Sequence, residues 1–464
     1  MRILVLNPPF FKKPYNRIAR WEGVAISNCI WYPIYPAYCA GFLEKCGHEV
    51  KLLDAVAEKY DVGQTLVEAR KFSPNVTVVN YSVMSHDNDL QVAQMIKDAT
   101  DCTNIFVGPS CDINLELLSS PTVDFVVRGE YEFPISELIS HLDDPSHVLN
   151  VSFRYGKTIV HNPKRDPLGN FELDSFPFVT DVYRRHLNFY NYRQSPQLYP
   201  FCDMFTGRSC YWNFCTFCLW AQTFNKNRPY TCRSVTNVLR ELQFIKKKLP
   251  FIKEVFFQDD TLPTWRATEI SQGILDSGLD VTWGCYGRTD GTFTYDVLSL
   301  MKQAGCRCIH VGYESSNQEN LRRCKKGTTV KDAYRFTKDC QKLGIHIHGD
   351  FIIGLLGETK DTIKDTVKFA KELNVETVQF IVPHPYLKTE YYEELLSSGY
   401  LKNGEVDYPW LTHEEICNAV KKATKEYYFR FNYFKRIFPL LFNRNEFQRM
   451  FTPALGVVKS FLSS

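Results

Sequence analysis

The sequence predicts an α/β protein built from two successive β/α series and a helical C-terminal extension. Three observations predict this fold class. Short apolar segments alternate with amphipathic ones over the first ~145 residues, a second alternating series begins at Phe201, and the pattern after Leu411 becomes helical. Strands that alternate with helices are typical of parallel sheets built from βαβ units. With 464 residues, of which 44% are apolar and 23% charged, the chain can bury the cores of two or three domains.

The first series predicts a sheet whose strands are followed by turn-forming residues. Its predicted strands are Ile3–Asn7, Val50–Asp54, Val76–Tyr81, Ile105–Val107 and Phe125–Val127. Its predicted helices are Pro36–Cys46, Thr65–Lys71, Asp89–Asp98 and Pro134–His141. Pro8-Pro9, Ser82, Gly108-Pro109 and Gly129 follow strands, at the edge of the sheet where open α/β folds bind their ligands.

A predicted hairpin and a linker connect the two series. The hairpin covers Val148–Val160, and the linker is the segment 162–195, rich in Pro, Asp, Tyr and Asn. The strands predicted for the second series are Cys202–Thr206, Glu254–Gln258, Val281–Tyr286, Cys308–Tyr313, Ile345–Ile353 and Thr377–Val382. Its predicted helices are Val235–Lys248, Ala267–Ser277, Asp296–Gln303, Val330–Leu343 and Thr362–Leu373. Six β/α units favour a barrel or part-barrel, whose chemistry is expected at the carboxyl ends of the strands.

Composition and charge argue against several classes of protein. The longest apolar runs are too short to span a bilayer, and the apolar stretch after Arg2 ends at Pro8-Pro9, before a signal peptide could form. Sixteen cysteines without an export signal indicate thiols and metal ligands in a reducing cytoplasm. The net charge of +3 is too small to indicate a nucleic-acid partner by itself.

Three cysteines lie close together, directly after the first strand of the second series. The stretch reads Gly207-Arg-Ser-Cys210-Tyr-Trp-Asn-Phe-Cys215-Thr-Phe-Cys218. A structural zinc site or an ordinary cubane takes four thiolates, so three cysteines leave one metal position open. An iron–sulfur cluster with one open iron can chelate a small molecule and pass it an electron. The spacing alone also allows a zinc ribbon completed by Cys202 or Cys232.

This stretch resembles the motif of the radical SAM superfamily, in which three cysteines hold a [4Fe–4S] cluster and S-adenosylmethionine (SAM) chelates the fourth iron. The spacing here is four residues and then two, where three and then two is usual. Phe217 matches the aromatic residue before the last cysteine. Further matches, in the order expected for the family, are Phe256–Asp260, Arg288, Ala304–Cys306, Gly312–Ser315, Lys326-Gly327, Gly349–Thr359 and Gln379-Phe380. One departure is Pro383–Thr389, where relatives often carry Pro-Gly-Thr.

The resemblance implies roles for particular residues. Cys210, Cys215 and Cys218 would hold the cluster. The residues expected to bind SAM are Phe217, Asp259, Asp260, Arg288, Glu314, Gly354 and Gln379. The carboxylates among them could accept hydrogen bonds from the amino group or the ribose, and Arg288 could pair with the SAM carboxylate. Gly354 would let the backbone approach the adenine closely.

The first series resembles the Rossmann-like cobalamin-binding domain that precedes the barrel in one branch of the superfamily. The likeness implies cobalamin binding by Asn7, Pro8, Pro9, Ser82, Gly108, Gly129 and Glu130. The DxHxxG fingerprint, whose histidine ligates cobalt from below, is absent, and the chain reads Ser85-His86-Asp87-Asn88-Asp89 in its place. A histidine ligand of that kind is therefore not expected, and His86 is expected to cap the following helix. A domain that no longer holds cobalamin is the alternative.

Together these resemblances predict a cobalamin-dependent radical SAM enzyme. Its [4Fe–4S] cluster would cleave SAM to methionine and a 5′-deoxyadenosyl radical, and methylcobalamin would donate a methyl group to an unactivated carbon. Cyclisation, oxidation or C–C coupling of a lipid or terpenoid is an alternative, and a non-catalytic iron–sulfur or zinc-binding protein is an alternative of another class. The expected partners are a small hydrophobic or lipid-like substrate and an electron donor such as flavodoxin or ferredoxin, with no nucleic acid. The expected location is the cytoplasm or the periphery of a membrane.

The implied fold is a Rossmann-like (flavodoxin-like) parallel sheet, a partial (β/α)6 TIM barrel and a helical C-terminal extension. The predicted bounds are 1–145 for the first domain, 146–198 for the hairpin and linker, 199–395 for the barrel and 396–464 for the extension.

The chain carries eleven aromatic residues between Tyr427 and Phe461, and six basic residues against one acidic residue from Tyr427 to Ser464. Because Pro439 and Pro453 interrupt any long helix, this segment favours a cap over the barrel mouth. A membrane or lipid surface and a partner-binding helix are the alternatives.

Overall fold

Two parallel sheets organise the molecule. The computed structural model describes residues 1–10, 15–17, 22–24, 29–224, 226 and 228–450. The strands of the N-terminal part are β1 (Arg2–Asn7), β2 (Tyr15–Arg17), β3 (Glu22–Val24), β4 (Glu49–Asp54), β5 (Val76–Asn80), β6 (Thr103–Val107), β7 (Phe125–Val127), β8 (Val151–Tyr155) and β9 (Thr158–His161). Its helices are α1 (Ile34–Lys45), α2 (Val62–Phe72), α3 (His86–Thr100) and α4 (Glu132–Ile139).

The first sheet has the strand order β4-β1-β5-β6-β7-β8-β9. Its five parallel strands follow the order of flavodoxin-like folds, so the predicted fold of this part is confirmed. Strands β8 and β9 are antiparallel and continue the same sheet. The hairpin predicted within the connecting segment is therefore an edge of the first sheet, because its inner strand pairs with β7.

The second sheet is the predicted partial barrel. Between the sheets lie α5 (Asn170–Ser175) and α6 (Val179–His186). The following strands are β10 (Phe201–Met204), β11 (Gly207–Arg208), β12 (Thr231–Cys232), β13 (Glu254–Phe257), β14 (Trp283–Gly287), β15 (Cys306–Glu314), β16 (His346–Ile352) and β17 (Thr377–Ile381). The helices are α7 (Val235–Lys248), α8 (Thr264–Asp276), α9 (Tyr295–Gln303), α10 (Gln318–Arg323), α11 (Val330–Leu343) and α12 (Lys360–Leu373). Six strands pair in parallel in the order β10-β13-β14-β15-β16-β17, which leaves β10 and β17 as the two edges.

The C-terminal extension covers the edge strand β17 and runs away from the barrel mouth. Its elements are α13 (Glu390–Ser397), β18 (Leu401–Lys402), β19 (Glu405–Val406), α14 (His413–Tyr428) and α15 (Phe431–Ile437). Helix α14 begins with a capping box formed by Thr412 and Glu415. Near its start, Ile416 packs on Gly354 beyond the carboxyl end of β16. At its end the Tyr428 hydroxyl accepts a hydrogen bond from the Val378 N–H (2.9 Å) and donates one to its carbonyl (2.7 Å).

Tyr427, Tyr433 and Glu446 lie at the amino ends of the barrel strands, away from the mouth over which a cap is predicted. A helix of this length spans about 24 Å, which is enough to carry the chain from one end of the barrel to the other. Residues 444–450 are helical and lie at the amino ends of the strands, where Glu446 accepts a hydrogen bond from Arg307 (3.0 Å). Arg307 also binds Glu254, and Glu446 binds Arg449 (2.8 Å). These buried ion pairs close the base of the barrel. The remainder of the segment, 451–464, lies outside the described residues.

A buried arginine joins the barrel to the first domain. Arg208 lies on β11, two residues before Cys210, and its guanidinium binds Glu130 (2.8 Å) and Glu132 (2.6 Å) beside α4. Arg228 binds Glu130 as well (2.8 Å). The guanidinium of Arg208 also lies 4.8 Å from the ring centroid of Tyr35. Because Arg208 and Glu132 are both almost fully buried, the loop that carries the cysteines is fixed to the first domain by charge as well as by packing.

Replacing Arg208 with alanine is expected to lower the free energy of unfolding by about 3–5 kcal/mol, since the Glu132 carboxylate would stay buried without its partner. Urea denaturation of the purified chain measures this change. The control is Arg184→Ala, which removes an ion pair with Asp181 whose arginine is 46% exposed and should cost less than about 1 kcal/mol. Equal losses in the two variants would contradict a structural role for the buried pair.

A second buried carboxyl group makes stability depend on pH. Burial raises the pKa of Asp203 to about 8, and the hydrogen bond from the Tyr183 hydroxyl (2.7 Å) opposes the shift only in part. An unfolded aspartate titrates near pH ~4. The folded state therefore binds the Asp203 proton more tightly than the unfolded state does. The stabilisation that this proton provides is lost as pH rises from about 4 to about 8.

The Asp203→Asn variant should lose this part of the pH dependence, because its amide is neutral throughout. We expect it to be more stable than the parent near pH 8, with the difference shrinking towards pH ~4. Thermal unfolding over that range measures both slopes. Asp280→Asn, at an exposed carboxylate, is the control. Parallel pH profiles for the parent and Asp203→Asn would contradict the assignment.

Candidate active site at the carboxyl ends of the barrel strands

The three motif cysteines lie on one loop beyond the carboxyl end of β10. Strand β11 pairs with β12 in antiparallel register and holds the start of this loop. Cys215 is buried, whereas Cys210 and Cys218 are half-buried. The Thr216 N–H binds the Cys324 carbonyl (3.1 Å), and the Gln222 N–H binds the Cys218 carbonyl (3.0 Å). All three thiols are free of disulfides, so they are available as metal ligands.

The alternative zinc ligands lie apart from this loop. Cys202 is fully buried in β10, and Cys232 lies on β12 opposite Gly207. Within the described ranges, no group of three or more His, Cys, Asp or Glu side chains is placed to hold a single metal ion. A zinc ribbon needs four such ligands around one ion, whereas the three cysteines of a cluster each bind a different iron. The donor set therefore fits a three-cysteine iron–sulfur cluster better than a zinc ribbon.

Two cations lie next to the cysteine loop. Burial raises the pKa of Cys215, and the charges of Lys326 and Arg288 act in the opposite direction. Lys326 is buried and forms an ion pair with Glu314 (2.6 Å). Positive charge at this position stabilises thiolates and an anionic cluster bound to them. Lys326 is one of the family matches in the sequence, but the sequence predicts no role for it. Its position in the chain does not show that it lies near Cys215.

Trp212 docks the cysteine loop onto the barrel. Its indole N–H binds the Lys325 carbonyl (2.7 Å), and the Arg288 guanidinium lies 4.8 Å from its ring centroid. A Cβ atom at Gly327 would lie 2.0 Å from the indole, and the φ of +68° at this residue also favours glycine. Sequence reasoning missed Trp212, although an aromatic residue inside the cysteine motif was a visible signal.

The predicted SAM-binding residues of the middle strands come together at the mouth. Asp259 and Arg288 among them form hydrogen bonds with other residues of the protein. Asp259, after β13, accepts hydrogen bonds from the Thr206 N–H and hydroxyl (both 2.6 Å) and from Tyr230 (2.6 Å). Asp260 is buried beside it. Arg288, after β14, binds the Asp290 carboxylate (3.2 Å) and the Lys326 carbonyl (2.5 Å). Because both oxygens of Asp259 accept bonds from the chain itself, this residue holds the start of the cysteine loop in place.

Three further predicted residues lie around the same mouth. Phe217 is partly buried against the core. Gln379 is exposed, although its strand neighbours Val378 and Phe380 are buried, so its side chain lies on the open interior side of β17. Gly354 has a φ of +102°, and a Cβ atom there would lie 2.8 Å from Ile416. The close approach expected at Gly354 is therefore made by helix α14.

At the first sheet, Arg17 occupies the edge predicted to bind cobalamin. Its guanidinium binds Asp89 (2.6 Å), the Pro8 carbonyl (2.8 Å) and Asn7 Oδ1 (3.4 Å). The Tyr15 hydroxyl lies 3.1 Å from Ser82 Oγ. This edge lies between β1 and β5, where the strand order reverses and flavodoxin-like folds bind their ligands.

The other residues of the first domain that are predicted to bind cobalamin also form hydrogen bonds or ion pairs within the protein. The Pro9 carbonyl accepts a bond from Asn88 (2.9 Å), and the Gly129 N–H binds Asp112 (2.7 Å). The Glu130 carboxylate binds Arg208 and Arg228, so its position is that of an interdomain anchor. His86 is the first residue of α3, and its Nδ1 lies 2.9 Å from the Tyr81 hydroxyl.

A narrow cavity lies between the first sheet and the helical turn 220–224 that follows the cysteine loop. Gly108, Asn80 and Arg17 line it from the first sheet. Tyr35, Tyr131, Trp220 and Phe224 line it with aromatic rings. The Tyr131 hydroxyl and the Trp220 indole nitrogen are buried and have no hydrogen-bond partner among the described residues. Since buried polar groups are normally paired, these two atoms fit a bound molecule with polar side groups, such as the amides around a corrin ring.

Comparisons with known proteins agree with this architecture. Residues 204–370 match the model of the radical SAM superfamily. The chain is 30% identical over 451 residues to the uncharacterized methyltransferase PH0819 of Pyrococcus horikoshii, with 93% of each chain covered. It is 25% identical to a cytidylyl-2-hydroxyethylphosphonate methyltransferase of Streptomyces wedmorensis, with 85% of this chain and 86% of that protein covered.

A solved structure shares the whole fold. The radical SAM methyltransferase TsrM of Kitasatospora setae, determined with cobalamin and a [4Fe–4S] cluster bound, superposes with a TM-score of 0.67. The two chains are 18% identical, and the match covers 86% of this chain and 78% of that one. The superposition shows a shared fold, and the family assignment follows from the relative that is 30% identical over 93% of the chain and from the family match at residues 204–370. The chain belongs to the radical SAM superfamily, and its barrel follows a Rossmann-like domain.

Proposed function

We propose that this protein is a cobalamin-dependent radical SAM methyltransferase acting on an unactivated carbon of a small molecule. The observation that carries the proposal is the cysteine loop at the carboxyl end of the first barrel strand, tied to the first domain by the Arg208–Glu132 ion pair. The full-length relative from Pyrococcus and the phosphonate enzyme both bear the name methyltransferase. When bound, the cluster supplies the electron that cleaves SAM, and cobalamin carries the methyl group.

The chain's own residues would bind, orient and shield these groups. Cys210, Cys215 and Cys218 would hold the cluster, and Lys326 and Arg288 would balance its negative charge. Asp260 and Glu314 lie at the same mouth, within the set expected to bind SAM. The aromatic lining of the interdomain cavity would exclude water from the reacting groups.

The substrate would lie in the barrel interior below the cysteine loop. On β16 and β17 the buried residues alternate with Asp350, which is partly exposed, and Gln379, which is exposed. His348 is held between Asp350 (3.3 Å) and the Thr377 hydroxyl (2.8 Å). We propose a hydrophobic or lipid-like molecule with one polar group, which Asp350 and Gln379 would bind in the barrel interior.

An external one-electron donor such as flavodoxin or ferredoxin would reduce the cluster. Support comes from the loop itself, since Cys210 and Cys218 are half-buried and Phe214 between them is 60% exposed. A donor docked there would reach the cluster over a short distance. The sixteen cysteines, none in a disulfide, support a reducing compartment such as the cytoplasm.

Simultaneous replacement of Cys210, Cys215 and Cys218 by alanine is expected to abolish iron binding and the formation of 5′-deoxyadenosine. Protein reconstituted under anaerobic conditions should otherwise carry about four irons. Iron analysis and product chromatography after dithionite reduction measure both. The control replaces Cys202 and Cys232, which should leave both unchanged. Retained SAM cleavage in the triple variant, or stoichiometric zinc without iron in the parent, would contradict the proposal.

Hydroxocobalamin should bind the parent at micromolar concentration. After one-electron reduction by dithionite, the bound cob(II)alamin should show no nitrogen coupling from a protein histidine in its EPR spectrum. Trp220→Phe removes the unpaired indole N–H but keeps a ring in the cavity, and should weaken binding by roughly tenfold. Trp265→Phe, at an exposed ring on α8, is the control. The absence of cobalamin binding by the parent would indicate a domain that has lost its cofactor.

A further inference from the structure

Seven large apolar side chains are exposed on one segment at the base of the barrel. We call this set the aromatic face; its members are Phe429, Phe431, Phe434, Phe438, Leu441, Phe442 and Phe447. Their exposed fractions range from 39% to 80%. Single exposed apolar residues are common on soluble proteins, whereas seven within nineteen consecutive residues form a patch of the kind that marks an interaction surface.

The aromatic face belongs to a segment that is firmly attached to the barrel. Tyr427 and Tyr433, interleaved with the exposed rings, are buried, and their hydroxyls bind the carbonyls of Val375 and Glu376. Arg436 forms an ion pair with Glu376 (2.5 Å). The exposed rings are therefore the outer side of a docked segment, and their exposure does not arise from a detached tail.

Within the segment 429–450, the exposed charged side chains all have one sign. Between residues 429 and 450 the chain has five basic residues and a single acidic one, Glu446. Glu446 is buried in ion pairs with Arg307 and Arg449, so its charge is neutralised inside the protein. Lys435 and Arg444 are exposed beside the phenylalanines. Aromatic rings with exposed cations and no exposed carboxylate are complementary to an anionic lipid surface.

We propose that the aromatic face is a peripheral membrane-binding surface for anionic bilayers. This inference goes beyond the proposed reaction and stands independently of it. No helix in the part of the chain that the structure describes is long and apolar enough to cross a bilayer, so the contact would be interfacial. The rings would enter the headgroup region while Lys435 and Arg444 meet lipid phosphates. Because the face lies at the amino ends of the strands, a bound protein would keep its cysteine loop and interdomain cavity away from the lipid.

Co-sedimentation of the full-length protein with vesicles tests this surface. The probes are phosphatidylcholine vesicles with and without phosphatidylglycerol. We expect binding to the anionic vesicles only, and a decrease as salt screens the basic side chains. The variant Phe431→Ser/Phe438→Ser/Phe442→Ser should bind at least about tenfold more weakly. Lys435→Gln/Arg444→Gln should lose most of the preference for anionic lipid.

The matched control is Tyr155→Ser/Phe171→Ser, which removes two rings of similar exposure from other surfaces and should bind like the parent. All variants should form 5′-deoxyadenosine like the parent, so loss of binding is separate from loss of the reaction. Equal vesicle binding by the triple variant and the parent would overturn the proposal. A parent that binds neither vesicle would also overturn it. Two observations would account for that result: dimerisation through this face in sedimentation velocity, or vesicle binding only by a chain that ends at Met450.

Discussion

The contact on which the active site depends is the buried ion pair of Arg208 with Glu130 and Glu132. It lies two residues before Cys210 and joins the cysteine loop to the first domain. An unpaired charge at this depth would be far more costly than the net gain from the pair, so the two domains cannot separate here without a large penalty. The pair therefore fixes the distance between the cysteine loop and the edge of the first sheet. A reaction that needs cofactors from both domains depends on that distance.

The remaining geometry of the mouth is set by contacts between side chains of the protein itself. Asp259 holds Thr206 and Tyr230, Trp212 rests on Gly327, and Lys326 pairs with Glu314 next to Cys215. Such positioning contacts keep the cysteines and the cations in a fixed arrangement before any cofactor arrives, which lowers the cost of reorganisation on binding. The unpaired Tyr131 hydroxyl and Trp220 indole are different, since their hydrogen-bonding needs are met by nothing within the described chain.

The C-terminal extension separates the two ends of the barrel. Helix α14 covers the free edge of β17, where the Tyr428 hydroxyl binds both backbone groups of Val378. An uncovered edge would expose unpaired backbone donors and acceptors. The segment after α14 closes the amino ends through Arg307, Glu446 and Arg449. The described part of the extension therefore closes the amino ends of the barrel strands, and the aromatic face lies on this side.

The sequence by itself determined the fold class, the extent of most strands and helices, and the cysteine motif, because hydrophobic periodicity and motif spacing are local properties of the chain. Predicted strands such as Phe125–Val127 and helices such as Val235–Lys248 agree with the structure to the residue. Only the tertiary structure decided which end of the barrel the extension covers, that Gly354 packs against Ile416, and that Glu130 binds two arginines. Each of these depends on contacts between residues at least 50 positions apart. The direction in which α14 runs and the burial of opposite charges arise from packing of the whole chain, and no local pattern encodes them.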